Sequence, residues 1–188
     1  TEMAQCATET LFDAIELLNN YSTELADKVR ENEDKTDHYE DILGSYLVKL
    51  SALQISDNDS ASAAMLLKSI GDFERISDHG VNILDSAEEL MAKNIEFTDS
   101  AKAEMETLKA AVHEILEKAL EAFLSQNAEL AFEIEPLEQV IDNLKERMRT
   151  NHILRLQQGG CSIDAGFIWS DLITNFERVS DHCSNIAG

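Results

Sequence analysis

The chain has 188 residues, 44% hydrophobic and only 6% aromatic, with a single proline and seven glycines; this argues against sandwiches and barrels and favours long helices around a sizeable core. Fifteen Lys and Arg stand against 37 Asp and Glu, a formal net charge of −22 that repels nucleic-acid phosphates and anionic lipid headgroups and argues against direct binding to either. Three cysteines, Cys6, Cys161 and Cys183, form no CxxC pair, so neither a disulfide framework nor a zinc knuckle is indicated, and a reducing cytosol fits best.

Apolar residues recur at spacings of three and four throughout, with turn residues between, and the pattern predicts six helices. The first covers about Glu2 to Leu18, and a turn at "NNYS" leads to a second from about Thr23 to Gln54. The third runs from about Ser60 to Met91, the fourth from Thr98 to Leu124, the fifth from Asn127 to Gln157, and the sixth from Ser162 to the end. Ser60, Thr98 and Ser162 are the candidate N-caps, and Gly159 with Gly160 should stop the fifth helix. Pro136 should kink that helix or mark where its regular part begins. No apolar run approaches a membrane span, and "TEMAQCATET" lacks the regions of a signal peptide. A start without Met and an end inside a helix suggest a piece of a longer protein.

The organisation is set by a duplication. "FERISDHGVNI" at Phe73 to Ile83 returns as "FERVSDHCSNI" at Phe176 to Ile186, and Ile70 to Ile83 matches Ile173 to Ile186 at nine of fourteen positions, offset by 103. Upstream, an offset of 105 places Glu33 and Asp37 over Glu138 and Asp142. A period of about a hundred residues implies duplicated bundles, because solenoid repeats run about 20 to 50. The expected architecture is therefore all-α, with two tandem, pseudo-symmetric three-helix bundles spanning 1–95 and 96–188.

On the third helix, Ile70, Phe73, Ile76, Gly80, Ile83 and Leu84 share a stripe that must face the core. Glu74, Asp78 and Asp85 share a second stripe at the shoulder beside it. Carboxylates at i and i+4 repel, costing about 0.2 to 0.5 kcal/mol per pair in an isolated helix, and a cation would reverse that sign. In a chain where about one residue in five is acidic, a lone ExxxD is weak, but here the pairs recur in register. Glu33 with Asp37 and Glu74 with Asp78 come back as Glu138 with Asp142 and Glu177 with Asp181. Four carboxylates per bundle, without His or thiolate, make a hard oxygen site suited to Mg, Mn, Ca or iron rather than structural zinc. Arg75 and Arg178 are expected in i,i+3 ion pairs, His79 and His182 in solvated or interface roles, and Trp169 in the core. Asn82 and Asn185 could cap, pair across halves or offer a carbonyl, and Asp85 is a minor candidate ligand.

At these residues the sequence resembles the PhoU family, whose third and sixth helices carry a motif of the form ERxxDHxxNI and whose preceding helices carry E(D)xxxD. The resemblance covers both repeats. It implies a non-enzymatic regulator of inorganic phosphate transport and homeostasis, with a multinuclear iron or zinc cluster on each bundle. Glu33, Asp37, Glu74 and Asp78 would hold one cluster, and Glu138, Asp142, Glu177 and Asp181 the other. The implied partners are a phosphate transporter and inorganic phosphate at the metal, and a homodimer is left open. Two departures from the family, Ser77 and Ser180 in place of a common glycine and an early end, resemble the PhoU-like domains on the cytoplasmic side of bacterial sodium/phosphate cotransporters. That version would act in cis at the inner face of the plasma membrane. Alternatives are a metal-free helical interaction scaffold and a ferritin-like dimetal oxidase. The oxidase needs ExxH motifs, and no His of this chain has Glu three residues before it. No Ser/His/Asp arrangement, phosphate-cradling glycine loop or HExxH makes a hydrolase or NTPase case.

Overall fold

The computed structural model describes residues 1–53 and 56–188. Six α-helices follow in order: α1 (Glu2–Leu17), α2 (Thr23–Ser51), α3 (Asp57–Ala92), α4 (Asp99–Ser125), α5 (Ala128–Gln157) and α6 (Ile163–Ala187), with no strand among the described residues. The expected end of the second helix at Gln54 lies outside those residues. Helices α1 to α3 pack on one another as one three-helix bundle and α4 to α6 as the other, and the two meet mainly along α3 and α6.

Side-chain caps set most of the helix starts. Ser22, Thr98 and Ser162 accept from the amides of Leu25, Ala101 and Ala165, and Asn127 accepts from Glu129. The expected cap at Ser60 is displaced one turn upstream to Ser56, which accepts from the Asp59 amide at 3.2 Å while donating to the Asp59 carboxylate at 2.7 Å. Ser56 wins because the acidic residue three positions on satisfies it reciprocally, and because Asp57 and Asp59 place negative charge at the positive end of the helix. Gly159 stops α5 at φ +70°, with the Gly160 amide reaching back to the Arg155 carbonyl at 2.8 Å and the Gly159 amide to Leu156 at 3.1 Å, the bonding of a left-handed helix end. Asn94, at φ 49°, ends α3 in the same way. Pro136 does not mark where α5 begins, because the helix is already formed at Ala128 and runs through the proline. The proline removes the amide partner of the Phe132 carbonyl, and both residues are exposed.

The expected α3 stripe is the core: Ile76, Ile83 and Leu84 are fully buried against Leu11 and Leu17 of α1. The same buried cluster continues into the second bundle through Leu108, Ile115, Ile134, Ile141, Phe176 and Trp169. Trp169 sits edge-on to Phe97 at 5.1 Å, with the Arg155 guanidinium over its ring at the same distance. At Gly80 α1 and α3 approach closely, since a Cβ there would stand 3.0 Å from Thr10 Cγ2 and 3.3 Å from its carbonyl oxygen.

The repeated motif also supplies the seam between bundles. His79 Nδ1 lies 2.8 Å from Asn175 Oδ1, and His182 Nδ1 lies 2.9 Å from Asp72 Oδ1. Asn175 and Asp72 are themselves related by the offset of 103, so the two contacts are pseudo-symmetric mates. The imidazoles lie 5.6 Å apart. Asn185 reaches across the same seam to donate to Asp72 at 3.2 Å. The interface role expected of the histidines is thus their role here.

Candidate metal centres

In the first bundle, α2 presents Glu33, Asp37 and Glu40 one turn apart, and α3 presents Glu74 and Asp78. Oxygen atoms of Glu33, Asp37 and Asp78 all lie within 4.8 Å of one another, and so do those of Asp37, Glu40 and Glu74. Asp37 therefore belongs to both triads. Glu33 faces Asp78 and Glu40 faces Glu74, the order given by antiparallel neighbours joined by a short connection. The buried positions on either side, Thr36 on α2 and Phe73, Ile76 and Ser77 on α3, turn one face of each helix into the core and leave the carboxylates at the rim between them.

Crowding of like charge leaves a mark on this cluster. Burial first, and then the Asp78 charge, push the Glu74 carboxyl up to about 7. Burial, Asp37 and Asp78 raise Glu33 as well. Arg75 stands at the outer edge, 3.4 Å from both Glu74 and Asp78, with 62% of its side chain exposed, so it screens the rim without entering the cluster. This is the ion pair expected of it.

The second bundle repeats the arrangement with a difference. Asp142, Glu177 and Asp181 bring oxygens within 4.8 Å of one another. Glu138 lies outside that triad, although its charge still contributes to raising Asp181, behind burial and Glu177. Arg178 takes the outer position of Arg75, 3.7 Å from Asp181. At the place of Glu40, however, stands Lys145, whose Nζ is 2.8 Å from Glu177 Oε1 with both side chains about four-fifths buried. Neither Glu40 nor Lys145 was among the expected site residues. Both were readable at the same 105-residue offset, three positions beyond Asp37 and Asp142, as the next residue of an i, i+4, i+7 stripe.

Other candidates resolve elsewhere. Asp85 is drawn away to Arg30 at 3.5 Å, which also holds Glu88 at 2.9 Å, and it joins neither cluster. Asn185 serves the seam. Ser77 and Ser180 are buried, and Ser180 donates to the Glu177 carbonyl at 2.7 Å.

The donor set of the first bundle fits a hard divalent or trivalent cation: five carboxylates, no imidazole or thiolate, and one shared member. The clusters sit on a duplicated helical scaffold, which defines the class as a tandem three-helix-bundle protein with an acid groove in each half. The profile of the PhoU domain matches residues 1–87 and again 105–188, and the chain belongs to the PhoU family. It is 26% identical over 194 residues to the phosphate-specific transport system accessory protein PhoU homolog 1 of Thermotoga maritima, covering 99% of this chain and 80% of that one. It is 24% identical over 178 residues to the PhoU homolog of Pseudomonas aeruginosa, covering 93% and 72%. The crystal structure of PhoU from Pseudomonas aeruginosa superposes with a TM-score of 0.91 at 22% identity, covering 98% of this chain and 88% of that one. The phosphate transport system regulatory protein PhoU from Streptococcus pneumoniae superposes at 0.81 and 21%, covering 98% and 86%. No described helix is long and apolar enough to cross a membrane.

Proposed function

We propose that this chain is a metal-binding regulator in inorganic phosphate transport that acts by binding rather than by turning over a substrate. The observation that carries this reading is the recurrence of a carboxylate cluster at matching places in two bundles of a PhoU-family chain. Glu33, Asp37, Glu40, Glu74 and Asp78 would hold the metal in the first bundle, and Asp142, Glu177 and Asp181, with Glu138 nearby, in the second. When bound, the metal supplies positive charge that can attract a phosphate oxygen to a surface that otherwise repels it. The chain's own contribution is to hold several oxygens at one rim, with the seam and cores fixing the helices that carry them. Iron or zinc, as the family resemblance implies, and Mg, Mn or Ca, as the oxygen donors allow, are the candidates.

The partner we propose is a phosphate transport system, contacted from the cytoplasmic side, because the relatives above are named as accessory and regulatory proteins of such systems. Attachment in cis to a cotransporter is the alternative, which the flanking gene sequence distinguishes. The test is elemental analysis of protein purified without a histidine tag, repeated on the Glu74→Gln, Glu177→Gln double variant. Metal that co-purifies with the wild type and falls sharply in the variant supports the reading. A stoichiometry near zero in both would leave the metal-free scaffold as the better account.

A further inference from the structure

We propose that the two acid grooves are unequal, and that Lys145 is a built-in counter-cation which keeps the second bundle from loading metal as tightly as the first. The inference rests on the metal-binding reading above and adds to it a difference between the halves. Counting the five cluster positions of each bundle, the first carries five acidic groups, whereas the second carries Glu138, Asp142, Glu177 and Asp181 together with one ammonium. Exchanging Glu40 for Lys145 thus changes the formal charge of the groove by two. Lys145 is no solvated rim residue of the kind Arg178 is: 20% of its side chain is exposed against 60% for Arg178. Its Nζ lies 2.8 Å from Glu177 Oε1, on one of the three carboxylates of the triad, and Glu177 itself is 18% exposed. The second groove therefore already accommodates a cation, and that cation belongs to the chain.

The consequence follows from electrostatics in a partly buried site, where a fixed positive charge within about 4 Å of an incoming cation is screened much less than in bulk water. To bind metal, the second bundle must displace the ammonium from Glu177 or use the remaining oxygens against its repulsion. The first bundle has no buried counterpart of Lys145 among its described side chains: Arg75, 3.4 Å from Glu74 and Asp78, is 62% exposed and is matched in the second bundle by Arg178.

The experiment measures Mn²⁺ affinity by equilibrium dialysis and electron paramagnetic resonance on full chains in which one groove is silenced. Asp142→Asn with Asp181→Asn leaves the first groove, and Asp37→Asn with Asp78→Asn leaves the second. The first groove alone should bind at least about tenfold more tightly than the second alone. Adding Lys145→Glu or Lys145→Met to the second-groove protein should recover about tenfold, and Glu40→Lys in the first-groove protein should lose a similar factor. Helical circular dichroism and urea midpoints identify any variant that fails to fold, and the Glu40→Lys arm then decides independently. Equal affinities in the two grooves, or no response to changing residue 145 or residue 40 in folded protein, overturn the inequality while leaving the metal-binding reading intact. No Mn²⁺ bound by wild-type protein or any variant overturns both.

Discussion

His182 Nδ1 meets Asp72 Oδ1 at 2.9 Å across the boundary between the bundles, and the same geometry is repeated by His79 and Asn175 at 2.8 Å. Since Asn175 offers its oxygen as the acceptor, His79 carries its proton on Nδ1 in this contact, and burial holds its pKa below the usual imidazole value. The recurring "DH" of the motif thus divides its labour. The aspartate faces the groove and the histidine, one residue on and about 100° around the helix, faces the sister repeat.

Removing the acceptor at this seam should be costly. Asp72 is 7% exposed and accepts from both His182 and Asn185, so Asp72→Ala would take the acceptor from a half-buried imidazole and an exposed amide and lower stability by about 0.5 to 1.5 kcal/mol. Asp72→Asn, which copies the residue at the mated position, should recover most of that loss. Urea denaturation of the two variants beside wild type checks this, and equal destabilisation by both would refute the hydrogen-bond account.

Backbone approach gives a second contrast. Gly80→Ala would push a methyl to 3.0 Å from Thr10 Cγ2 and 3.3 Å from the Thr10 carbonyl oxygen, so the α1–α3 contact must open and stability should fall by about 1 to 3 kcal/mol. At Gly71, also within α3, an added Cβ meets nothing within 4 Å, and Gly71→Ala should stabilise by about 0.5 to 1 kcal/mol by restricting the unfolded chain. The signs of the two shifts in thermal midpoint test the helix packing directly.

How far the sequence revealed this molecule depends on which interactions are local. The six helices, the core stripe from Ile70 to Leu84 and the stop at Gly159 follow from periodicity and backbone conformation, which are properties of neighbouring residues. The shift from Ser60 to Ser56 shows the limit of that reading, because both serines can cap and what separates them is the reciprocal bond with Asp59 and the acidic first turn. The acid pairs were visible because the repeat placed them in register. Glu40 stands three residues beyond Asp37 and so falls outside the ExxxD spacing that marks the other acid pairs. Lys145 was hidden for a different reason: a lysine in an acid-rich helix reads as surface, and only the packing of α5 on α6 buries it against Glu177. The partners of His79 and His182 depend on how two bundles dock, which no spacing within one helix specifies.

The Glu74 carboxyl should contribute stability to metal-free protein on mild acidification. Glu74 has a folded-state pKa raised to about 7 from an ordinary 4.5, by burial and then by Asp78. Between those values the folded chain holds a proton that the unfolded chain has released, so stability falls as pH rises through the window and is recovered as pH drops. Glu33 in the same cluster is shifted in the same direction. With chelator present, acidification from pH 8 to pH 5.5 should shift the urea midpoint more favourably in wild type than in Glu74→Gln, because the lowered pKa values of His79 and His152 oppose Glu74 equally in both proteins. A midpoint that rises with pH equally in both proteins would contradict the sign.

Asp37 should matter more to metal binding than any other residue of the first groove. It is the one side chain common to both triads of that bundle, so its loss removes a donor from each, whereas loss of Glu33 or Glu40 leaves one triad complete. Binding confined to the folded state stabilises by mass action, by about 2.7 kcal/mol when free metal is a hundred times the dissociation constant. Adding Mn²⁺ to chelator-treated protein should therefore raise the thermal midpoint. The rise should be largely lost in Asp37→Asn, reduced in Glu33→Gln and in Glu40→Gln, and unchanged in Asp85→Asn, whose carboxylate is engaged with Arg30 outside the groove. Because Asp37 is exposed and surrounded by like charge, Asp37→Asn should also leave metal-free stability equal to or above that of wild type. A midpoint lowered by the substitution in chelator would mean that the residue serves the fold and not the cation.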